Sequence, residues 1–415
     1  MEKTLVILSL CVQLHTNIYV EGFLQKCCKD LGCFNLGDPW SSIFRPIPPP
    51  QCPDECPAVF RFFSRTTNSE NYTVSGWPIT SFNSSYFDRN RMTVIAIHGW
   101  FSSFDDRFEK LKNLYLERED TNFIFIDWSI CANQNYFQTI STMRTVAAQA
   151  VRFVKYLSNN YGMSECKLHI IGLSLGSHVG AYIAKGLSDT KTKTPCVERL
   201  TGLEPAAPLF QGYSDEVQIS RTDAKFVEIA HTSTLPFIGP GVREPRGHVD
   251  YYFNGNILQP GCLITAGIES LQSLKEGNFS ALVYLVQYVS CSHGRALSYY
   301  TDSLRKQCCI FWGERIDRTV QLFNQLTLGL LAENTTNLDR CNLTSCSPFG
   351  IKAMDYPARG SFFVATLRAE PYCSPKLEID NMMAEMLQEY KQGLLNISTT
   401  TTDPSIFNRI IHNFI

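Results

Sequence analysis

Apolar and polar positions along the 415 residues follow two alternating rhythms. Short continuous apolar runs bounded by turn residues predict buried strands: "MTVIAIHGW" from Met92, "NFIFIDW" from Asn122, "KLHIIGLS" from Lys167, "RLTGLEPA" from Arg199 and "KFVEIAHT" from Lys225. Between them, "RFEKLKNLYLE", "TVAAQAVRFVKYLSNNYG" and the stretch from Leu175 to about Leu187 carry apolar residues at helical spacing. Strand–helix alternation predicts a mostly parallel sheet covered on both faces. In such sheets ligands bind at the carboxyl ends of the strands, where His98, Gly99, Trp100, Ser174 and Glu204 all fall.

The pattern loosens from about residue 303. "RIDRTVQLFNQLTLGLLAENTTN" reads as a partly helical surface insertion, "CNLTSCSPFGIKAMDYP" as a loop and "GSFFVATLRAEPYC" as a late strand. "KLEIDNMMAEMLQEY" puts Ile379, Met382, Met383, Met386, Leu387 and Tyr390 on one stripe, which predicts an amphipathic helix docked on a core rather than on a membrane. "STTTTDP" reads as a linker, and "SIFNRIIHNFI" is an apolar end of no assigned use. Residues 24–57, rich in Cys and Pro and with little periodicity, predict an irregular segment pinned by disulfides. No internal repeat is present.

Composition narrows the setting. A net charge of −2 gives no electrostatic case for a nucleic-acid partner. Sixteen cysteines point to an oxidising compartment. Lys3 followed by the apolar residues 5–14 is too short to span a bilayer and predicts a signal peptide ending near residue 20, hence secretion. Its removal takes Cys11 and leaves fifteen cysteines, so one is free or pairs between chains. Sequons at Asn71, Asn83, Asn278, Asn334, Asn342 and Asn396 fit an extracellular glycoprotein. No CxxC pair suggests a structural zinc site.

The candidate chemistry lies in "IIGLSLGSHVG". Gly172-Leu173-Ser174-Leu175-Gly176 joins a strand to a helix, the setting of a nucleophile elbow. A serine hydroxyl needs a base within hydrogen-bond reach and a carboxylate to orient that base. His98, His169, His178, His231 and His293 are candidates. His293, in the polar stretch "SCSHGRALSYYTDSL" beside a cysteine, reads as part of a mobile loop and ranks near the front, without being singled out by spacing alone.

Across roughly residues 27–373 the chain resembles the pancreatic lipase family, through "CFNLGDPW", "IAIHGW", "FIDW", "HIIGLSLGSHVG", "LTGLEPAAPLFQG", "DAKFVEIAHT", "GHVDYYFNG", "PGC" and "CSHGRALSYYTDS" in the family's order. The resemblance implies an α/β-hydrolase fold over residues 24–373, with residues 374–415 as a helical tail. It makes Ser174 the nucleophile, His293 the general base, and the backbone N–H groups of Trp100 and Leu175 the oxyanion hole. Glu204, in "GLEPA", stands where the family has Asp. Its extra methylene lengthens the acid by about 1.5 Å, and Asp250 is the alternative acid. The family's calcium loop corresponds to Asp215, Gln218, Ser220 and Asp223, with the family's Asp replaced at Ser220. No cofactor is expected to be required, and Asp215 and Asp223 are the carboxylates that would hold calcium.

The resemblance also implies a lid between Cys262 and Cys291, closed by a disulfide, with "ALVYLVQYV" able to face lipid. Cys341–Cys346 and a bond from Cys33 to Cys27 or Cys28 are expected as well. The 42 residues after Cys373 are too few for the family's C-terminal β-sandwich, so no protein cofactor of that type is expected. The function implied is hydrolysis of lipid esters at a lipid–water interface, first as a triacylglycerol lipase. Phospholipase A1 activity and a non-catalytic lipid-binding or yolk-type role are the alternatives.

Overall fold

The computed structural model describes residues 25–65, 72–75, 79, 82–189, 191–234, 239–256, 259–262, 280–305, 309–316, 338–373 and 377–400. The expected signal peptide, most of the expected lid, most of the insertion after residue 316, Cys308 and the apolar end lie outside them, as do the sequons at Asn71, Asn278 and Asn334.

Six runs form strands buried along their whole length: β5 (Thr93–Ile97), β6 (Asn122–Asp127), β7 (Leu168–Leu173), β8 (Arg199–Leu203), β9 (Phe226–His231) and β10 (Val249–Phe253). Strands buried on both faces cannot alternate with polar residues, which is why they read as continuous apolar runs. With β13 (Gly360–Val364) they form a parallel block in the order β13-β10-β9-β8-β7-β5-β6. Antiparallel strands extend it at both edges: β11 (Trp312–Arg315) and β12 (Cys346–Pro348) beyond β13, β3 (Val59–Phe63) and β4 (Tyr72–Ser75) beyond β6.

Alternate residues of each strand feed one of two cores. On one face Ile95, Ile97, Ile170, Leu200 and Ile229 meet α3 (Tyr136–Tyr161) and α4 (Leu175–Leu187) through Phe153, Val179 and Ile183. On the other, Val94, Ala96, Ile171 and Tyr251 meet α1 (Asp106–Arg118) and α5 (Ser280–Ser303) through Phe108, Leu111, Leu297 and Tyr300. The stripe of α6 (Leu377–Thr400) docks on a third cluster: Met383 is fully buried, and Ile379, Met382, Met386 and Leu387 pack around Trp312, Leu338 and Tyr356.

Several elements differ from the sequence expectation. The helix expected from Thr145 starts at Tyr136, because Asn135 caps it by accepting from Gln138 N at 3.1 Å. The loop expected around Cys346 contains β12, whose strand character depends on its partner β11 rather than on its own pattern. α6 continues through Thr400 into the expected linker. The amino segment forms a small hairpin, β1 (Gln25–Cys28) against β2 (Gly32–Asn35). Disulfides Cys27–Cys33, Cys28–Cys52 and Cys56–Cys131 tie this segment together and to α2 (Ser129–Ala132).

Candidate active site

β7 delivers Ser174 at the carboxyl edge of the sheet. Ser174 has φ 56° and ψ −121°, a conformation a side-chain-bearing residue rarely adopts. It is held there by its N–H, which donates to Leu203 O at 2.9 Å. α4 follows at once and lies tight against β5: a Cβ on Gly176 would sit 2.4 Å from Ile97 O, so only a hydrogen fits. Leu175 N–H, in the first turn of α4, has no intrahelical acceptor and points its partial charge outward. A Cβ on Gly99 would sit 2.9 Å from Ser174 Cβ, so the backbone leading into Trp100 runs directly beside the serine. The Trp100 indole donates to Gln134 O at 2.9 Å.

His293 lies within α5, not in a mobile loop. The apolar packing of α5 through Ala296, Leu297, Tyr299 and Tyr300 overrides the polar appearance of the stretch. The other described histidines are engaged elsewhere. His98 Nε2 accepts from Trp128 N at 3.0 Å, and His169 joins Tyr115 and Thr201 at 2.8 Å each. His178 takes Ile219 N and Ala206 O, and His248 accepts from Val227 N. His231 bonds Val242 O and Asp250. His293 Nδ1, by contrast, is buried with no hydrogen-bond partner among the described residues. Burial, with the Arg107 guanidinium adding to it, pushes His293 down to about 4, so its imidazole is neutral and able to take a proton.

The two candidate acids have different surroundings. Glu204, fully buried at the end of β8 with φ 49°, accepts from Thr232 N, from Thr232 Oγ1 at 2.9 Å and from Ser233 N at 2.8 Å. Burial outweighs these bonds and pushes its carboxyl up to about 7. Among the described residues it makes no bond to His293. Asp250 accepts from His231 Nε2, Arg246 N and Gly247 N, each at 2.9 Å. Its ladder partner is Ile229, which faces the α3–α4 core, whereas Tyr251 beside it faces α5. Asp250 therefore lies on the sheet face opposite the helix that carries His293.

Sequence reasoning missed Gln259. Fully buried, it donates from Nε2 to Thr232 O and Phe253 O at 2.8 Å each and accepts at Oε1 from Asn254 Nδ2 and Tyr299 OH. Its N–H reaches Ser292 Oγ at 3.4 Å. Gln259 thus ties the segment that holds Glu204 to the residue beside His293. A lone Gln before "PGC" carries no pattern that would have flagged it.

The expected calcium residues do not fit the ion. Lys185 on α4 puts its ammonium 2.7 Å from Asp223 Oδ1 and 3.0 Å from Gln218 O. Arg246 pairs with Asp215 and donates from Nε to Ile219 O at 3.1 Å. Tyr182 OH takes Val217 O at 2.6 Å, Ser220 Oγ donates to Asp215, and Ser220 N donates to Asp223 at 2.8 Å. Two cations already neutralise the two carboxylates, and the carbonyls of residues 217–219 already have donors. A divalent ion needs several free oxygens and net negative charge.

Cys262–Cys291 is bonded, as are Cys341–Cys346 and Cys27–Cys33, matching the expected pairs. Cys166–Cys196 and Cys309–Cys373, which the sequence left unassigned, complete the described bonds. This density of disulfides fits an oxidising, extracellular setting. Among the described residues no helix is long and apolar enough to cross a membrane.

A large, mostly parallel sheet flanked by helices, with a strained serine between strand and helix at its carboxyl edge, defines the α/β-hydrolase class. Residues 24–338 match the family model described as Lipase, and the chain belongs to that family. Pancreatic triacylglycerol lipase of Homo sapiens is 32% identical over 289 residues, covering 68% of this chain and 59% of that protein. The Mus musculus enzyme of the same name is 33% identical over 291 residues, with the same two shares. Inactive pancreatic lipase-related protein 1 of Canis lupus familiaris is 30% identical over 289 residues, again 68% and 59%. The chain thus spans about 59% of the length of these relatives. Because one relative is named inactive, family membership alone does not decide turnover.

Proposed function

We propose that this protein is a secreted serine hydrolase of lipid esters, with triacylglycerol as the first substrate class. The observation that carries the reading is the strained Ser174 at a strand-to-helix elbow; beside it in the reading stands His293, neutral and buried, whose Nδ1 has no partner among the described residues. Ser174 Oγ attacks the ester carbonyl while His293 Nε2 takes its proton. The N–H groups of Leu175 and Trp100 hold the developing oxyanion, each worth roughly 3–4 kcal/mol. His293 then protonates the leaving alcohol, and water repeats the cycle on the acyl-enzyme. Glu204 is the proposed acid: its carboxylate is held by Thr232 and Ser233, and orienting His293 Nδ1 requires it to leave them. Asp250, on the other face and committed to His231, has a structural role in this reading. In this reading Lys185, rather than a metal ion, supplies the positive charge of the 212–223 loop.

Triacylglycerol is favoured by the names of the active relatives and by the length of the segment between Cys262 and Cys291, proposed to be a lid that opens at an interface. Phospholipase A1 action remains an outcome of the test. The protein is incubated with a triacylglycerol emulsion and separately with phosphatidylcholine, and Ser174→Ala serves as the blank. Expected are fatty acid from the emulsion, little from the phospholipid, none from the variant, and labelling by an organophosphate ester at Ser174 alone. Equal turnover by Ser174→Ala, or no labelling of folded protein, overturns the mechanism. Release from phosphatidylcholine alone replaces the substrate class.

A further inference from the structure

The short turn at residues 42–45 displays two large apolar side chains that the core does not use. Ile43 is 92% exposed and Phe44 86% exposed, more than any other large hydrophobic residue described. The turn is not loose. Ser42 N donates to Arg45 O at 2.9 Å, and Arg45 N returns a bond to Ser42 O at 3.1 Å, so Ile43 and Phe44 occupy the tip of a closed turn. Arg45 behind them is buried, with Nε on Leu209 O at 2.8 Å, a second bond to Trp40 O, and its guanidinium over the rings of Phe210 and Tyr213. Tyr213 OH also holds Phe44 O at 3.1 Å. A buried arginine therefore fixes the base of a turn whose tip would otherwise be expected to fold its apolar groups inward.

The turn also has a direction. Leu209, its anchor, lies in the segment that leaves the carboxyl end of β8 just after Glu204. Pro208 O accepts from Tyr136 OH at 3.1 Å, and the Tyr136 ring packs on Trp100 at 4.9 Å. Trp100, Phe101, Ile130 and Phe137 are further exposed large apolar side chains, and Trp100 follows Gly99, which lies beside Ser174. The tip and the proposed active site thus belong to one edge of the molecule.

From this placement, and resting on the lipid-ester reading above, we propose that Ile43 and Phe44 are an interfacial anchor that inserts into the lipid surface presenting the substrate. A lipid surface fits better than a protein partner. The tip is only two residues wide, whereas a stable protein interface buries about 800 Å² per partner. No charged side chain stands between Trp40 and Arg45 to specify a partner. Apolar insertion needs neither area nor pairing, only exposed hydrophobic groups on a rigid support.

The test uses the full chain with Ser174→Ala, so that binding is measured without turnover, on a triolein emulsion coated with phosphatidylcholine. Adding Ile43→Ser and Phe44→Ser is expected to lower partitioning to the emulsion by at least tenfold. The same pair in the active protein is expected to leave turnover of a monomeric short-chain ester within twofold, since neither residue touches Ser174. Unchanged partitioning overturns the proposal, as does absence of binding before the two changes. So does a shift in oligomeric state on gel filtration that accounts for the loss, because the tip would then be a protein contact. Failure of the active parent to cleave the monomeric ester would sink the hydrolase reading instead, and the emulsion result would stand separately.

Discussion

At the scale of single residues, the decisive group is Glu204. Its carboxyl is pushed up to about 7 while His293 is pushed down to about 4, so the usual assignment of an acid limb to histidine is reversed. In the proposed mechanism His293 is neutral over the working range, and the limb follows ionisation of Glu204. kcat/KM is expected to rise through about pH 7, and the measurement is a pH–rate profile of wild type. A limb near pH 4 would show that the rate does not follow the raised Glu204 carboxyl, and the Glu204→Gln variant then decides whether this group acts. Glu204→Gln is expected to lower kcat by up to about 10⁴-fold with the fold retained. The stability sign runs against the common carboxylate case. A folded value above the unfolded value means the folded state holds the extra proton, so this contribution is full below about pH 4.5 and lost as pH rises through about 7, a span of about 3 kcal/mol. The melting temperature of Glu204→Gln should therefore gain on wild type between pH 5 and pH 8. Gly99→Ala is a second residue-scale test. Its Cβ would meet Ser174 Cβ at 2.9 Å and Leu173 O at 3.0 Å, so the elbow must shift. Misplacement near 1 Å costs on the order of 100-fold, which steady-state kinetics on folded variant would read.

At the scale of elements, α4 carries two duties on opposite ends. Its first turn carries Leu175 N–H, the proposed oxyanion donor, and Lys185 near its last turn braces the loop between β8 and β9. His178 between them, pushed down to about 3 by burial, stays neutral and accepts from Ile219 N of the same loop. Neither added calcium nor a chelator is expected to move the thermal midpoint or the activity of wild type. A chelator-induced fall in the midpoint would show that an ion, not Lys185, balances Asp223. Lys185→Met leaves that buried carboxylate unpaired and is expected to cost about 3 kcal/mol in denaturant unfolding. α5 is a comparable case. One helix runs from Ser280 past Cys291 and His293 to Ser303, so opening of the proposed lid and placement of the proposed base share one backbone.

At the scale of the molecule, the disulfides hold what the sheet does not. Cys56–Cys131 closes 75 residues between the amino segment and the strand-end helix α2. Chain entropy assigns a loop of that length about 4 kcal/mol. Replacing both cysteines by Ala should lower unfolding free energy by that order while leaving the parallel block intact, as measured by urea unfolding and circular dichroism. Retained stability would mean that hairpin β1–β2 and the segment after it dock by packing alone.

The alternation of buried strands and amphipathic helices was legible because each element is set by its own residues. Short apolar runs bounded by turn residues fit strands covered on both faces, and the α6 stripe fits one face of a helix. The serine elbow was legible for the same local reason, as were the pairs Cys262–Cys291 and Cys341–Cys346 through the family resemblance. What the chain alone did not determine depends on partners far away in sequence. β12 exists because β11 lies beside it, and His293 is helical because α5 packs on the sheet. Asp250 and Glu204 look alike as carboxylates beside apolar strands. Only the register of β9 against β10 puts Asp250 on the face away from His293, and only burial beside Thr232 and Ser233 shifts Glu204. Lys185 reads as one surface lysine on a helix until the fold brings it, across more than thirty residues, to Gln218 and Asp223. Hydrophobic pattern is a property of neighbours in the chain, whereas charge balance and hydrogen-bond partners are properties of neighbours in space.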